Sequence, residues 1–263
     1  MRLGALADRN GEARVTTPVI MVHGAFCGGW TFDTFRRPFE AAGHVVQTPD
    51  LLGHGDGALV AGRSMIDYAK QIAALCEACH EPPILIGHSM GGLVAQMAAA
   101  RATVSRLILL APSPPWGVTG SSLEEAASAV SLYALGPYWL QAVAPDYGVV
   151  ESYTLDRLPR DQRKRLYAKM NAESGRALWE TLNWFMDPFM TTGASPVGVP
   201  TLAIAGGKDV IHPPATVRQT AARLGGSCEV FPSMSHWLPG EPGWEEVAAT
   251  CLDFIAAEDR AAA

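Results

Sequence analysis

The 263-residue chain is short of charge and has no long apolar run. Charged residues make up 17% of it, whereas a typical soluble domain has about 25%. Hydrophobic residues make up 48%, which excludes an intrinsically disordered chain because burying them offsets the entropy lost on folding. Asp and Glu outnumber Lys and Arg by 26 to 20, and no basic run is long enough to follow a phosphate backbone. The sequence therefore predicts no nucleic-acid partner.

Membrane and export signals are also missing from the sequence. The longest apolar runs, such as residues 107–111, fall far short of the roughly 20 residues that cross a bilayer. Residues 1–15 contain no apolar core of the kind that a secretory signal needs. We therefore expect a cytoplasmic protein with no membrane span.

The cysteines are few and odd in number, five in all, which is unlike a disulfide framework. Cys76 and Cys79 form a Cys-x-x-Cys pair, a spacing that can indicate redox or metal chemistry. The pair lies at the end of a predicted helix, residues 65–80, and no second ligand pair with zinc spacing accompanies it. We interpret both thiols as lying on or beside the buried face of that helix, and we predict no metal and no cofactor.

Short apolar runs alternate with helical patterns along most of the chain. Strands that are apolar throughout and alternate with helices are typical of a mostly parallel sheet covered on both faces. The predicted fold class is therefore α/β, a doubly wound, mostly parallel sheet of about six or more strands, with its site at the carboxyl ends of the strands. The six predicted strands are residues 18–22, 44–48, 83–87, 106–111, 200–205 and 228–231.

The alternation stops between residues 116 and 196, which contain several helical patterns, many aromatic residues and no convincing strand. Because this stretch follows the carboxyl end of a predicted strand, we interpret it as a helical lid, although an ordinary packed extension would look similar. The expected domain organisation is a core made of residues 1–115 and 197–263 and a lid insertion of residues 116–196. The predicted helices of the insertion are residues 122–135, 138–143, 160–171 and 175–186.

The strongest chemical signal is Ser89 within Gly-His-Ser-Met-Gly, residues 87–91, placed after an apolar strand and before a helix of small residues. In a tight strand–turn–helix the flanking glycines are a steric requirement, because the serine holds a strained backbone and its neighbours have no room for side chains. This geometry exposes the serine hydroxyl and directs the next N–H, that of Met90, at an incoming carbonyl oxygen. The pattern predicts that Ser89 is a nucleophile.

A serine hydroxyl needs a base and an orienting carboxylate to act as a nucleophile. His236 follows the last predicted strand, and Asp209 follows the strand before it, so both are expected at the same sheet edge as Ser89. The chain order Ser, Asp, His is the one found when this arrangement is built on such a sheet. His212 is a rival base, although it follows the same strand as Asp209.

The first predicted strand ends at His-Gly-Ala-Phe, residues 23–26. Gly24 permits a close approach to the reacting carbon, and we expect the backbone N–H groups of Ala25 and Met90 to form an oxyanion hole. His23 is expected to support this loop. Asp50 and His54 are interpreted as ordering a neighbouring loop, because no third ligand with suitable spacing for a metal is present.

Taken together, these motifs resemble those of the α/β-hydrolase superfamily, and the resemblance covers nearly the whole chain. It implies Ser89 as nucleophile, His236 as base, Asp209 as orienting acid, and a lid at residues 116–196. Serine at the turn argues against the related enzymes that use aspartate there, and favours attack on an acyl carbon. The short stretch before the first predicted strand suggests that one or both of the family's first antiparallel strands are reduced or absent. The matching motifs are HGAFCGGW (23–30), PDLLGHG (49–55), GHSMGG (87–92), GGKD (206–209) and SH (235–236).

The sequence predicts a carboxylesterase acting on a small or medium hydrophobic ester, as a monomer or homodimer. Lactone or thioester hydrolysis, carbon–carbon bond hydrolysis and a reaction like that of hydroxynitrile lyases remain open alternatives, since each uses the same triad; a non-catalytic ligand receptor is the remote one. The residues predicted to line the substrate pocket are Phe26, Trp116, Trp179, Trp184, Met186 and Trp237.

Overall fold

The computed structural model describes residues 17–55, 59–120, 132–195 and 198–262, together with Leu123 and Ala127. The strands of its main sheet are β1 (Val19–Val22), β2 (Val46–Gln47), β3 (Ile84–His88), β4 (Arg106–Leu110), β7 (Thr201–Gly206) and β8 (Ser227–Phe231). Their order across the sheet is β2-β1-β3-β4-β7-β8, and every neighbouring pair is parallel. This confirms the predicted fold class.

Alternate residues of the central strands enter two different apolar cores, because successive side chains of a strand point to opposite faces. Leu107 and Leu109 of β4 belong to one core, and Ile108 and Leu110 to the other. The first core is covered by α2 (Met65–Glu77), α3 (Met90–Ala99) and α6 (Pro214–Leu224). The second core is covered by α1 (Arg36–Ala41) and α7 (Trp244–Ala262). Burial on both faces explains why these strands are apolar throughout.

The segment between β4 and β7 contains the insertion, residues 116–196. Its main helices are α4 (Arg160–Tyr167) and α5 (Gly175–Leu182), and it also has short 3-10 helices at Tyr133–Leu135, Tyr138–Leu140 and Trp184–Met186. The expectation that it holds no strand was wrong, because β5 (Ala142–Val143) pairs antiparallel with β6 (Glu173–Ser174). The helix expected at 138–143 is therefore a 3-10 turn followed by β5. Most of the helix expected at 122–135 lies outside the described residues.

No helix in the described ranges has both the length and the apolar character needed to cross a membrane. The stretch before residue 17, on which the expectation about the first antiparallel strands rests, lies outside the described residues. Because all six strands of the main sheet run the same way, their carboxyl ends form one edge. The segments that follow β1, β3, β7 and β8 start at this edge and carry the predicted nucleophile, base, orienting acid and oxyanion donors.

Candidate active site

Ser89 stands at the turn between β3 and α3, with a φ of 53°. This is the left-handed region, which is uncommon for a residue with a side chain and costs energy. The turn has no room for side chains on either side of the serine. A methyl group at Gly87 would collide with the Gly91 carbonyl oxygen, and one at Gly91 would collide with the carbonyl oxygens of Val22 and His23. The glycines thus let α3 start directly against the ends of β3 and β1, and the serine side chain projects from the sheet edge.

Ser89, His236 and Asp209 form a hydrogen-bonded row at this edge. The Asp209 carboxylate, just after β7, accepts a hydrogen bond from His236 Nδ1 at 2.8 Å through Oδ2. With the proton on Nδ1, the ring's Nε2 is free to accept a hydrogen bond, and it lies 3.0 Å from Ser89 Oγ. The other Asp209 oxygen accepts the N–H groups of Ile211 at 2.8 Å and His212 at 3.0 Å. Both carboxylate oxygens are therefore fixed, and the imidazole is held in the orientation that reaches the serine.

The electrostatics of the row favour an ionised aspartate. Burial alone would raise the pKa of Asp209, but the electrostatic interaction and the hydrogen bond with His236 outweigh burial and lower that pKa. Burial and the nearby His236 lower the pKa of His88 to about 3 and that of His212 to about 4, so both of these imidazoles are neutral. Their ring N–H groups donate to backbone carbonyls, His88 to His236 at 2.8 Å and His212 to Ala111 at 2.9 Å. The ring bonded to Ser89 is thus that of His236, and not that of the rival His212.

The loop after β1 lies against the serine. A methyl group at Gly24 would be 3.0 Å from Ser89 Cβ, so a side chain there would force the loop or the serine to shift by a few tenths of an ångström. His23 supports the loop as expected: its Nδ1 donates to the Gly24 carbonyl at 2.8 Å, and its Nε2 accepts the Leu51 N–H at 2.9 Å. Ala25 follows in this loop, and Met90 begins α3 directly after the serine. Ala25 is therefore one residue from the glycine that passes the serine, and Met90 is bonded to the serine itself.

The predicted pocket residues fall into two groups. Phe26 and Trp179 pack, together with Ala25, on an apolar cluster formed by Tyr138, Val143 and Leu178 of the insertion. Trp116 and Trp184 contact each other with ring centroids 5.7 Å apart. The first pair thus joins the insertion to the loop after β1, and the second pair joins the start of the insertion to its later part.

The other two residues of the predicted set lie elsewhere. Trp237 is 3% exposed, packs edge-on against His88 and contacts Trp30. Met186 lies at the surface with 55% of its area exposed, and its sulfur is 3.8 Å from the Tyr133 hydroxyl. The structure thus places Trp237 within the packed interior beside His88 and Met186 at the surface of the insertion.

Sequence reasoning missed a buried ion pair beside this site. His54 Nε2 donates to Glu173 Oε2 at 3.1 Å, and both side chains are fully buried. His54 was expected to order a loop, but its partner is 119 residues away in the insertion, and no local pattern marks the pairing. Among the described residues, no group of three or more His, Cys, Asp or Glu side chains could hold a metal ion.

The fold and the site define a class: a parallel α/β sheet whose carboxyl edge carries a serine, an imidazole and a carboxylate in hydrogen-bonded order. Residues 19–250 match the alpha/beta hydrolase family, and the chain belongs to this family.

The chain is similar in sequence to named hydrolases, to one of them over most of its length and to another over less than a third of it. A pimeloyl-[acyl-carrier protein] methyl ester esterase of Neisseria meningitidis is 28% identical over 255 residues, 94% of this chain and 96% of that protein. A pyrethroid hydrolase of Sphingobium wenxiniae is 37% identical over 78 residues, but this match spans 29% of this chain and 28% of the relative. Among solved structures, an Arabidopsis methylesterase superposes with a TM-score of 0.71 at 18% identity, over 92% of this chain and 99% of that one.

Proposed function

We propose that the protein is a serine carboxylesterase that cleaves small or medium hydrophobic esters through an acyl-enzyme. The observation that carries the proposal is the row in which Ser89 Oγ, His236 Nε2, His236 Nδ1 and Asp209 Oδ2 are joined by hydrogen bonds of 3.0 and 2.8 Å. The named activities of the similar proteins, a methyl ester esterase, a methylesterase and a pyrethroid hydrolase, support an ester as the substrate.

In the first half of the reaction, Ser89 Oγ attacks the ester carbonyl carbon while His236 Nε2 takes the hydroxyl proton. The carbonyl oxygen becomes an oxyanion, which the N–H groups of Ala25 and Met90 stabilise. The ester C–O bond then breaks, and His236 gives its proton to the departing alkoxide, which leaves as an alcohol. Asp209 stabilises the imidazolium that exists between these proton transfers.

In the second half, water replaces the alcohol. His236 takes a proton from the water, whose oxygen attacks the acyl carbon, and the same two N–H groups stabilise the second oxyanion. Collapse of this intermediate breaks the bond to Ser89 Oγ, which recovers its proton from His236 and releases the carboxylic acid.

The insertion is proposed to act as the lid of this site and to supply its apolar walls. Trp179 and Phe26 pack around Ala25 on the insertion's apolar cluster, and Trp116 contacts Trp184. Aromatic walls with few polar groups suit an apolar acyl or alcohol group. Methyl esters of hydrophobic acids and p-nitrophenyl esters are therefore the substrates to test first.

The test is hydrolysis of a p-nitrophenyl ester series from acetate to decanoate, and of matching methyl esters, by the wild type and by Ser89→Ala. We expect wild-type turnover and a fall in kcat of several orders of magnitude in Ser89→Ala, because the variant has no nucleophile. Circular dichroism checks that the variant is folded. Unchanged activity in folded Ser89→Ala would refute the proposal.

A fluorophosphonate probe completes this experiment. Labelling of the wild type and not of Ser89→Ala, without hydrolysis of any ester in the series, would mean that Ser89 is activated for a different substrate. Lactones, thioesters and carbon–carbon substrates would then be tested, and the ester assignment would be withdrawn.

A further inference from the structure

Glu173, the first residue of β6 in the insertion, has no exposed surface, and its carboxylate accepts four hydrogen bonds. Its Oε1 accepts the Tyr68 hydroxyl at 2.7 Å and the Ser174 N–H at 2.8 Å. Its Oε2 accepts His54 Nε2 at 3.1 Å and the Phe26 N–H at 3.3 Å. The side chain therefore joins the insertion to three parts of the core: the loop after β1, the loop after β2, and α2.

The contacts within the His54–Glu173 pair favour its charged form. His54 faces acceptors with both ring nitrogens, since its Nδ1 lies 3.3 Å from the Leu51 carbonyl oxygen. Burial alone would lower the pKa of His54, but its hydrogen bond to and attraction by Glu173 raise that pKa. Burial alone would raise the pKa of Glu173, but the bonds from His54 and Tyr68 lower it. A charge buried in this way is stable only while its partners stay in place.

The hydrogen bond from the Phe26 N–H connects the Glu173 carboxylate to the loop that carries the proposed oxyanion donor. Phe26 directly follows Ala25 and has a φ of 65°, a backbone conformation that a phenylalanine rarely adopts. The insertion bonds both sides of this residue: Glu173 accepts the Phe26 N–H, and the Asn171 N–H donates to the Phe26 carbonyl at 2.8 Å. A strained residue persists when its surroundings hold it. Here the insertion holds it, one residue from an N–H that must point at the oxyanion.

We propose that Glu173 is a positioning residue of the active site: the buried carboxylate, held by His54 and Tyr68, fixes Phe26 and thereby aims the Ala25 N–H at the oxyanion. Glu173 itself touches no reacting atom. The proposal rests on the esterase function proposed above, and it makes the insertion part of the catalytic geometry as well as a cover over it.

The test compares Glu173→Gln with Glu180→Gln, a matched control. Glu180 is also a buried carboxylate in the insertion, 4% exposed, and it also bonds the core, accepting the Met65 N–H at 2.7 Å. Its second partner is Arg176 at 2.9 Å, so neither of these bonds involves the loop after β1. Both substitutions exchange a buried carboxylate for an amide between the same two parts of the molecule.

We expect Glu173→Gln to lower kcat about 10- to 100-fold with little change in KM, because a displaced N–H loses its effect in the transition state more than in substrate binding. Affinity for a trifluoromethyl ketone, which forms an oxyanion on Ser89, should fall by the same factor as kcat/KM. Glu180→Gln should keep kcat within about twofold of the wild type, even if its melting temperature falls as much as that of Glu173→Gln.

The outcomes separate this inference from the function it rests on. A wild type without ester hydrolysis would overturn the proposed function and this inference with it. An active wild type with kcat unchanged in Glu173→Gln would overturn only the role of Glu173, as would equal losses of kcat in both variants. Where Glu173→Gln does not fold, the double variant with His54→Gln removes the whole ion pair and avoids a lone buried charge. This double variant should fold and show the same loss of kcat and inhibitor affinity, and wild-type kcat in it would refute the proposal.

Discussion

At the scale of single residues, the buried carboxylates around the site differ in the direction of their pKa shifts. Asp209 and Glu173 are ionised because each has a histidine partner and further donors. Glu241 lies in the loop between His236 and α7, and only one of its carboxylate oxygens has a hydrogen-bond partner. Oε1 accepts the Ser235 N–H at 2.7 Å, whereas Oε2 is buried without a partner in the described part of the chain. Burial, assisted by the nearby Asp156, raises the pKa of Glu241 to about 7.

This raised pKa predicts a pH dependence of stability. The folded protein holds a proton on Glu241 up to about pH 7, whereas the unfolded chain releases it near pH 4.3. The contribution to stability is therefore full at low pH and lost as the pH rises through this window. We expect the free energy of unfolding to fall more steeply from about pH 5 to about pH 8 in the wild type than in Glu241→Gln, whose amide does not titrate. Urea denaturation at several pH values measures both slopes, and equal slopes would contradict the prediction.

At the scale of elements, the site depends on how closely α3 meets the sheet. The turn at Ser89, called here the elbow, brings the start of α3 against the end of β1, so that Gly91 lies on the carbonyl oxygens of Val22 and His23. The same β1 end leads into the loop with Gly24 and Ala25. The distance between Ser89 and the proposed oxyanion donor is thus set by backbone contacts between two elements, and a side chain at Gly91 would change it.

We expect Gly91→Ala to destabilise the fold by about 1–3 kcal/mol, the usual cost of forcing extra atoms into a packed interior. It should also lower kcat, because β1 and α3 must separate to admit the methyl group. Gly148→Ala is the control, since a methyl there would meet only the Asp146 side chain, at 3.2 Å. Denaturation curves and ester kinetics on both variants provide the measurement. A stable and fully active Gly91→Ala would show that the elbow tolerates more movement than the contacts indicate.

At the scale of the whole molecule, the chain is held together by packing and hydrogen bonds, since all five cysteines are free thiols. Cys27, Cys76 and Cys251 are buried, and Cys79 and Cys228 are half-buried. Burial raises the pKa of Cys76 to about 12 and raises that of Cys79, so neither member of the Cys-x-x-Cys pair has a reactive thiolate at neutral pH. Cys76 belongs to the first apolar core and Cys79 packs against it, in line with the prediction that both thiols lie on or beside the buried face of the helix.

The whole-molecule prediction follows from these thiols. A thiol reagent should modify at most the two half-buried cysteines quickly in the native protein and all five after denaturation. Dithiothreitol should leave the melting temperature unchanged. Titration with Ellman's reagent, with and without guanidinium, counts the reactive thiols. Fast reaction of all five in the native state would mean that the apolar cores open readily.

The main sheet could be predicted because its strands are buried on both faces and their apolar character is visible locally. The same holds for Ser89, Asp209 and His236, whose positions follow directly from where three strands end. The β5–β6 pair could not be predicted, because each strand has two residues and its pairing is decided by the fold of the insertion. Glu173 escaped notice for a similar reason. A buried carboxylate is recognisable only through its donors, and those of Glu173 come from positions 26, 54, 68 and 174.

The location of Glu173 has a consequence for engineering this protein. Residues 116–196 form one continuous segment between β4 and β7, so exchanging them for the matching segment of a relative is an obvious route to new substrate preference. Glu173 would leave with the donated piece, whereas His54, Tyr68 and Phe26 would stay behind. A chimera therefore needs a glutamate at the matching place, or a neutral residue at 54. Without one of these, the graft would leave the buried His54 ring without the carboxylate that accepts its Nε2 proton.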